Sequence, residues 1–434
     1  MEQKKYDNLM PIILSRTNLT AAYKRVVGNK GSAGIDGMKV SELMTHLHEN
    51  WTVIRDQLAN GTYQPQAVKG KEISKASGGV RLLGIPTVLD RLIQQAIHQV
   101  LNEIWDYSFS RLSYGFRPLR GAHQALKQAQ VYLNDGYQDV IDLDLKSFFD
   151  RVNHNKLVSL LERRIGDKGL LKLIQKYLKS GIMLGGLVQK RQSGTPQGSP
   201  LSPLLSNILL DELDKELENR GHRFVRYADD CSIFLRSRRA AERVKATITR
   251  FLEKKLFLQV NEKKTKICRP IHFELLGYGF VPTYKKGEKG KYNLRVAPKS
   301  WKRLKMKIKV ITRKTSPIPF KERIDKLNQL MRGWVHYFKL AVGYQKLKTL
   351  DDWIRNRLRY CIWKQWKKPK RRYRAFLQLG IEPSWARRFA WSRKGGWAIA
   401  CSPIMGVTVT IERLRKKGYI PFLEYYLSVK YKDV

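Results

Sequence analysis

Acidic residues are scarce in this 434-residue chain: 37 Asp and Glu stand against 84 Lys and Arg, a formal net charge of +47 at pH 7. Most of those cations have no carboxylate to meet within one fold. A polyanionic partner is therefore expected, nucleic acid first and an anionic membrane surface second. Long apolar runs are missing too. No stretch of about 18 uninterrupted apolar residues occurs, and no short apolar core follows the charged start Met1-Glu2-Gln3-Lys4-Lys5. Insertion into a membrane and a cleaved leader are both argued against, and a soluble, unprocessed protein is expected. Cysteine is equally sparse: Cys231, Cys268, Cys361 and Cys401 lie far apart with no Cys-x-x-Cys pair. Neither a zinc module nor a disulfide framework is written here, and reduced, intracellular thiols are the default.

What is present is apolar material, 42% of residues with 10% aromatic, enough for one large core or two to four domains and too much for a disordered polar chain. The positive charge is concentrated. From Lys299 to Val434 there are 35 Lys and Arg against 8 Asp and Glu, an excess of 35 − 8 = +27, so the C-terminal third reads first as an electrostatic binding region. Pro282 to Pro298, rich in Lys, Gly and Tyr, interrupts the apolar pattern and reads as a hairpin or linker with a domain boundary near 290.

Beyond it, three sets of apolar residues recur at helical spacing: Trp301, Leu304, Ile308 and Ile311; Leu327 through Phe338; and Leu347 through Ile362. They predict three amphipathic helices packed as a bundle with basic faces outward. Lys367-Lys368-Pro369-Lys370-Arg371-Arg372 breaks the third and opens a small basic domain, 367–434, carrying Trp385, Trp391 and Trp397. Each of these tryptophans suits either stacking on unpaired bases or packing of that small domain. The division expected is thus 1–290, 291–366 and 367–434. Within the first part, Asp139 to Leu145 and Phe224 to Leu235 read as strands and Leu204 to Leu217 as a helix.

Two strings carry chemistry. Asp142-Leu143-Asp144 ends an apolar strand run, with alternate carboxylates on one face. Farther on, Phe224-Val225-Arg226-Tyr227-Ala228-Asp229-Asp230-Cys231-Ser232-Ile233-Phe234-Leu235 sets an Asp-Asp tip between two apolar runs, a hairpin with carboxylates at its turn. If the strands are neighbours, Asp144 and Asp229 converge, which needs cations between them. Two Mg²⁺ ions roughly 3.5 to 4 Å apart would activate an attacking hydroxyl and stabilise a leaving pyrophosphate.

The Tyr227-Ala228-Asp229-Asp230 string resembles the catalytic motif of reverse transcriptases, and the Asp144 segment resembles their other carboxylate motif. Gly79-Val80-Arg81-Leu82-Leu83-Gly84-Ile85-Pro86 through Arg91 and Ala96, Ser113-Tyr114-Gly115-Phe116-Arg117-Pro118, and Gly194-Thr195-Pro196-Gln197-Gly198-Ser199-Pro200 follow in the same order as in the group II intron-encoded enzymes, also called maturases. The likeness runs from Leu9 to the C-terminus. It implies an α+β right-hand polymerase (fingers and palm) with an α-helical thumb and a small basic C-terminal domain.

By that resemblance Asp144, Asp229 and Asp230 would hold two Mg²⁺ ions, with Mn²⁺ able to substitute and Asp142 the alternative to Asp144. Phe148 or Phe149 would close on the sugar C2′ and select deoxynucleotides. Lys75, Arg81 and Arg91 would clamp the triphosphate, although the prolines usual beside this lysine are absent from Ser74-Lys75-Ala76-Ser77. Gln197 and Gly198 would approach base and sugar, with Ser199 standing where many relatives carry a second glycine. Lys264, in Asn261-Glu262-Lys263-Lys264-Thr265, would protonate the leaving pyrophosphate. Leu275 to Phe280 would grip the primer end, and Asn29 to Gly37 would cover the template.

The expected partners are group II intron RNA, an RNA template with its DNA primer, target DNA and dNTPs; no membrane and no protein partner are expected. The eight acidic residues after 299 form no convincing cluster and the last histidine is His336, so neither an RNase H nor a His/Cys endonuclease activity is expected. That pattern resembles the compact bacterial class C intron proteins, acting in splicing and retrohoming from a cytosolic, nucleoid-associated ribonucleoprotein. The competing readings are a domesticated relative in defence or DNA repair, and a splicing-only RNA-binding protein.

Overall fold

The structure is a computed structural model, and it describes residues 5–74, 80–184, 187–189, 193–284, 286–341 and 343–431. Lys75 and Gly79 lie outside the described residues, and of Arg81 only the backbone is described, in the strand Val80–Ile85 opposite Ile73. The chain divides into two compact units, Met1–Pro270 and Ile271–Val434.

In the first unit, a four-stranded antiparallel sheet orders Arg223–Tyr227, Asp230–Leu235, Asp139–Leu143 and Lys266–Cys268 side by side. Its two central strands read as near-continuous apolar runs because helices cover them: Val140, Ile141, Leu143, Ile233 and Phe234 are all buried. The helix Ser202–Asn219 starts with a proline in its first turn, where the missing N–H costs nothing, and buries residues on most of its faces. Helix Val88–Trp105 is started by Thr87, whose hydroxyl accepts from the Asp90 N–H at 3.0 Å. Asp90 is itself buried, and Tyr63, Tyr177 and Thr87 donate to its carboxylate. Burial pushes that carboxyl upward, so hydroxyl donors rather than a cation satisfy it. A second sheet orders Val80–Ile85, Val68–Ser74, Ile182–Leu184 and Leu187–Gln189, the middle pair parallel.

The second unit opens with the antiparallel strands Glu274–Leu275, Tyr278–Pro282 and Tyr292–Val296. The segment expected as a hairpin or linker is thus a hairpin within this unit. Its inner face buries Leu275, Tyr278, Phe280, Leu294 and Val296, which explains why the compact units meet at 270/271.

The three expected helices follow as Pro298–Ile311, Phe320–Phe338 and Tyr344–Gln365. Guanidinium groups satisfy the last carbonyls of the first: Arg323 donates to Ile311 O and Arg357 to Lys309 O at 3.2 Å. The helices after 367 share one apolar core with these three, through Trp363, Phe376, Ile399, Tyr419 and Phe422. Asp351 ties them further by accepting from the Phe422 and Leu423 N–H groups at 2.8 and 2.9 Å. The expected third part is therefore continuous in its core with the bundle, so a division at 366/367 would be one of role. Trp385 packs against Phe389, whereas Trp391 and Trp397 are 49% and 40% exposed. Among the described residues no helix is long and apolar enough to cross a membrane.

Candidate active site

Pairing in the first sheet brings the two carboxylate strings together. Asp142 stands opposite Ser232 and Leu143 opposite Cys231, so Asp144 follows directly beyond the last paired residue, level with the start of the neighbouring strand at Asp230. Tyr227 pairs with Asp230, which leaves Ala228 and Asp229 as the two-residue turn of the hairpin. Asp142, Asp144, Asp229 and Asp230 thus gather at one end of two adjacent strands.

Asp144 is braced from the turn that leads into the strand Lys266–Cys268. Its N–H donates to Thr265 Oγ1 at 3.1 Å, and its carbonyl accepts from the Asn261 N–H at 2.8 Å. Lys264 Nζ, in the same turn, lies 3.1 Å from Asp144 Oδ2. The lysine is largely exposed, so this contact carries little stability; its interest lies in placing a proton-bearing amine at the carboxylates. Enclosure by the fold, then repulsion from Asp229, Asp142 and Asp144, pushes the Asp230 carboxyl up to about 6, with Lys264 opposing the rise. Solvent still reaches this side chain at the mouth of the cluster.

A carboxylate raised by its acidic neighbours, as Asp230 is, favours an intervening cation, and an all-oxygen donor set suits a hard one such as Mg²⁺. Among the described residues no three His, Cys, Asp or Glu side chains close into a ready-made cage.

After Asp144 the chain turns at Ser147, which has a left-handed φ of 49°, and enters the short helix Phe148–Arg151. The two aromatic rings stay together in the core, packed edge-on with centroids 5.2 Å apart. Phe148 is 3% exposed; Phe149, 9% exposed, is in addition among the residues lining a cavity of about 780 Å³ with Gln197, Gly198, Arg91 and Phe116. The loop carrying Gln197 is docked by its backbone, since Gly84 N–H donates to Gln197 O at 2.8 Å. Gly198 has φ +115°, and a Cβ there would meet Gly84 O at 2.9 Å, so only glycine fits without strain. Ser199 adds a hydrogen bond from its hydroxyl to Gln94 Oε1 on helix Val88–Trp105.

Arg91 also lines the cavity, but half-buried, and its guanidinium donates to Ser32 O at 2.6 Å in the glycine-rich turn. It therefore fastens that turn as well as offering charge. Burial pushes its pKa down, with Asp36 opposing. The same cavity holds residues given no role from the sequence: Arg25, and His98, which burial and then Arg25 push down to about 4, leaving the ring neutral at physiological pH. An isolated histidine on an amphipathic helix carries no readable signal of this kind.

Acidic groups at the open end of an antiparallel sheet, beside a cavity floored by a glycine loop and an aromatic ring, define the palm of a template-directed nucleotidyl-transferring polymerase. Comparison narrows the class. A family model described as reverse transcriptase (RNA-dependent DNA polymerase) matches residues 73–280, and one described as group II intron, maturase-specific domain matches 301–380. Protein YkfC of Escherichia coli (strain K12) is 32% identical over 61% of this chain and 80% of that protein. Group II intron-encoded protein LtrA of Lactococcus lactis subsp. cremoris is 40% identical over 45% of this chain and 32% of LtrA. The Retron Mx65 reverse transcriptase of Myxococcus xanthus is 30% identical over 45% of this chain and 47% of its own length. A solved partial Cas6-RT-Cas1–Cas2 complex is 26% identical over 57% of this chain and 43% of that one, with a TM-score of 0.38. The chain belongs to the group II intron-encoded reverse transcriptases, or maturases: an RNA-directed DNA polymerase with a maturase region.

Proposed function

We propose that this chain copies RNA into DNA from a primer 3′-OH, using dNTPs and two Mg²⁺ ions held by Asp144, Asp229 and Asp230, with Mn²⁺ able to substitute. The observation that carries the reading is the meeting of the two carboxylate strings at one sheet end, in register across Leu143 and Cys231. When bound, the ions lower the pKa of the attacking hydroxyl and neutralise charge on the leaving pyrophosphate. The protein's own part is placement: Asp142 is the reserve carboxylate on the same strand, Gln197 and Gly198 approach base and sugar, and Phe149 stands against the sugar. Lys75, Arg81 and Arg91 are the proposed phosphate clamp. Lys264 delivers a proton to pyrophosphate.

The parts of the chain divide the work: 1–290 as fingers and palm, 291–366 as thumb, and 367–434 as a DNA-binding region with Trp391 and Trp397 open to unpaired bases. The excess of Lys and Arg after residue 299 supports binding of intron RNA and target DNA, and with it splicing assistance and target-primed reverse transcription during retrohoming. A nucleoid-associated ribonucleoprotein in the bacterial cytosol is the setting this implies.

The test is primer extension on an RNA template with purified protein, Mg²⁺ and dNTPs, beside an NTP control. Long DNA products support the reading, and no extension at low salt overturns it. Lys264 yields a sharper expectation. Lys264→Gln should lower kcat by about 10²-fold, the usual scale for a positioned proton donor. Because Lys264 holds the Asp230 pKa down, its removal should also move the acid limb of the pH–rate profile to higher pH. A profile that keeps both limbs in place would remove Lys264 from the chemistry.

A further inference from the structure

The most deeply buried cation of the first unit stands two residues before the turn that carries Asp229. Arg226 is 0% exposed, as is its partner Asp214. Burying a guanidinium costs several kcal/mol unless it is fully engaged, and this one is. Nε donates to Asp214 Oδ1 at 2.7 Å and Nη2 to Asp214 Oδ2 at 2.6 Å, a fork on one carboxylate. Nη1 donates both to Asn207 Oδ1 at 2.9 Å and to the Ala228 carbonyl at 2.9 Å. That last bond reaches into the turn itself.

Ala228 has φ +58°, a conformation costly for any residue with a Cβ unless its surroundings enforce it. Three contacts enforce it. Arg226 holds the carbonyl. Gly115 packs on the other side, where a Cβ would come within 2.2 Å of Ala228 N. Asn207 joins the two, donating from Nδ2 to Gly115 O at 2.9 Å while accepting from Arg226. Backbone bonds fix the approach: Arg226 N–H donates to Leu112 O at 3.0 Å, and Tyr114 N–H donates to Arg226 O at 2.9 Å. Asn207 and Asp214 lie two turns apart on helix Ser202–Asn219, the helix entered from the Gln197–Gly198 loop.

We propose that Arg226, with Asp214 and Asn207, is a positioning group that sets the strained Ala228–Asp229 turn and thereby aims the Asp229 carboxylate. Replacing a buried ion pair with apolar side chains of similar volume is often neutral or stabilising, so the charges themselves are not what folding requires, whereas the Ala228 and Asn207 oxygens would lose their donor. It is the directional bond to Ala228 O that hydrocarbon cannot replace. The inference rests on the polymerase reading for its catalytic consequence, and on geometry alone for its effect on the turn.

The test uses three full-length variants: Arg226→Lys, Asn207→Ala, which spares the ion pair, and the apolar double variant Arg226→Met/Asp214→Leu. Hydrogen exchange of peptides covering Phe224 to Leu235 is read beside melting temperature, template–primer affinity, and kcat and KM for dNTP. The expected result is faster exchange in this segment for all three and a kcat lowered by about 30-fold or more, with KM within about threefold of wild type. Wild-type exchange in folded Asn207→Ala and in the folded double variant overturns the inference, as does activity loss that follows melting temperature rather than exchange. If the wild-type protein extends no primer, the polymerase reading falls, and the exchange measurement still decides the control of the turn.

Discussion

Asp229→Asn should abolish primer extension, lowering kcat by roughly 10³-fold or more, about 4 kcal/mol of transition-state stabilisation, while the fold and template–primer affinity stay at wild-type values. The substitution keeps volume and removes one negative charge from a turn residue. Asp229 sits in the turn at the sheet end, and that turn is held through Ala228 by Arg226 and Gly115. Stability should therefore not fall. Removing the charge takes away one of the three contributors that raise the Asp230 pKa by repulsion, so Asp230 should titrate lower in the variant, below about 6. Chemistry lost, binding kept and an Asp230 titration shifted downward together identify a cluster poised for cations. Retained extension, within about tenfold of wild type, would show that the carboxylates at this sheet end are not where nucleotidyl transfer occurs.

The hairpin and the Asp144 strand were legible in the letters because apolar runs flank each carboxylate string, and a run covered by helices has nowhere else to go. Their adjacency was legible only as a condition, since strand pairing is a long-range property and Asp144 and Asp229 are 85 positions apart. The structure supplies it through the register Asp142–Ser232. The Arg226–Asp214–Asn207 network was not legible at all. Each member reads as an ordinary polar residue, and only three-dimensional packing makes them mutual partners at 0 to 1% exposure. Arg91 shows the same limit differently. Its residue type fits a phosphate clamp, yet its bond to Ser32 O depends on a turn far away in sequence. The helices after 367 look separable because the basic run ends a helix, while Asp351 and Trp363, which tie them to the bundle, lie upstream of that break.

The pair Phe148 and Phe149 separates by the same reasoning into two unlike expectations. After the left-handed turn at Ser147 the two rings pack edge-on at 5.2 Å in the core, and of the pair Phe149 alone also lines the cavity with Gln197 and Gly198. Phe149→Val should therefore lower the melting temperature, because its ring is also packed in the core, and raise incorporation of ribonucleotides relative to deoxynucleotides by about 10²-fold, the scale on which a pocket of this kind discriminates a single hydroxyl. The gain should appear in kcat/KM for NTPs, because relieving a clash with a 2′-OH leaves dNTPs little affected. Phe148→Ala should differ in the sugar readout: no change in sugar preference, with a stability loss of about 3 to 5 kcal/mol from the cavity left in the core. Measuring both variants with dNTP and NTP in parallel, beside their thermal unfolding, gives four numbers with a fixed expected pattern. A change of sugar selectivity in Phe148→Ala, or none in Phe149→Val, would reverse the assignment of the gate.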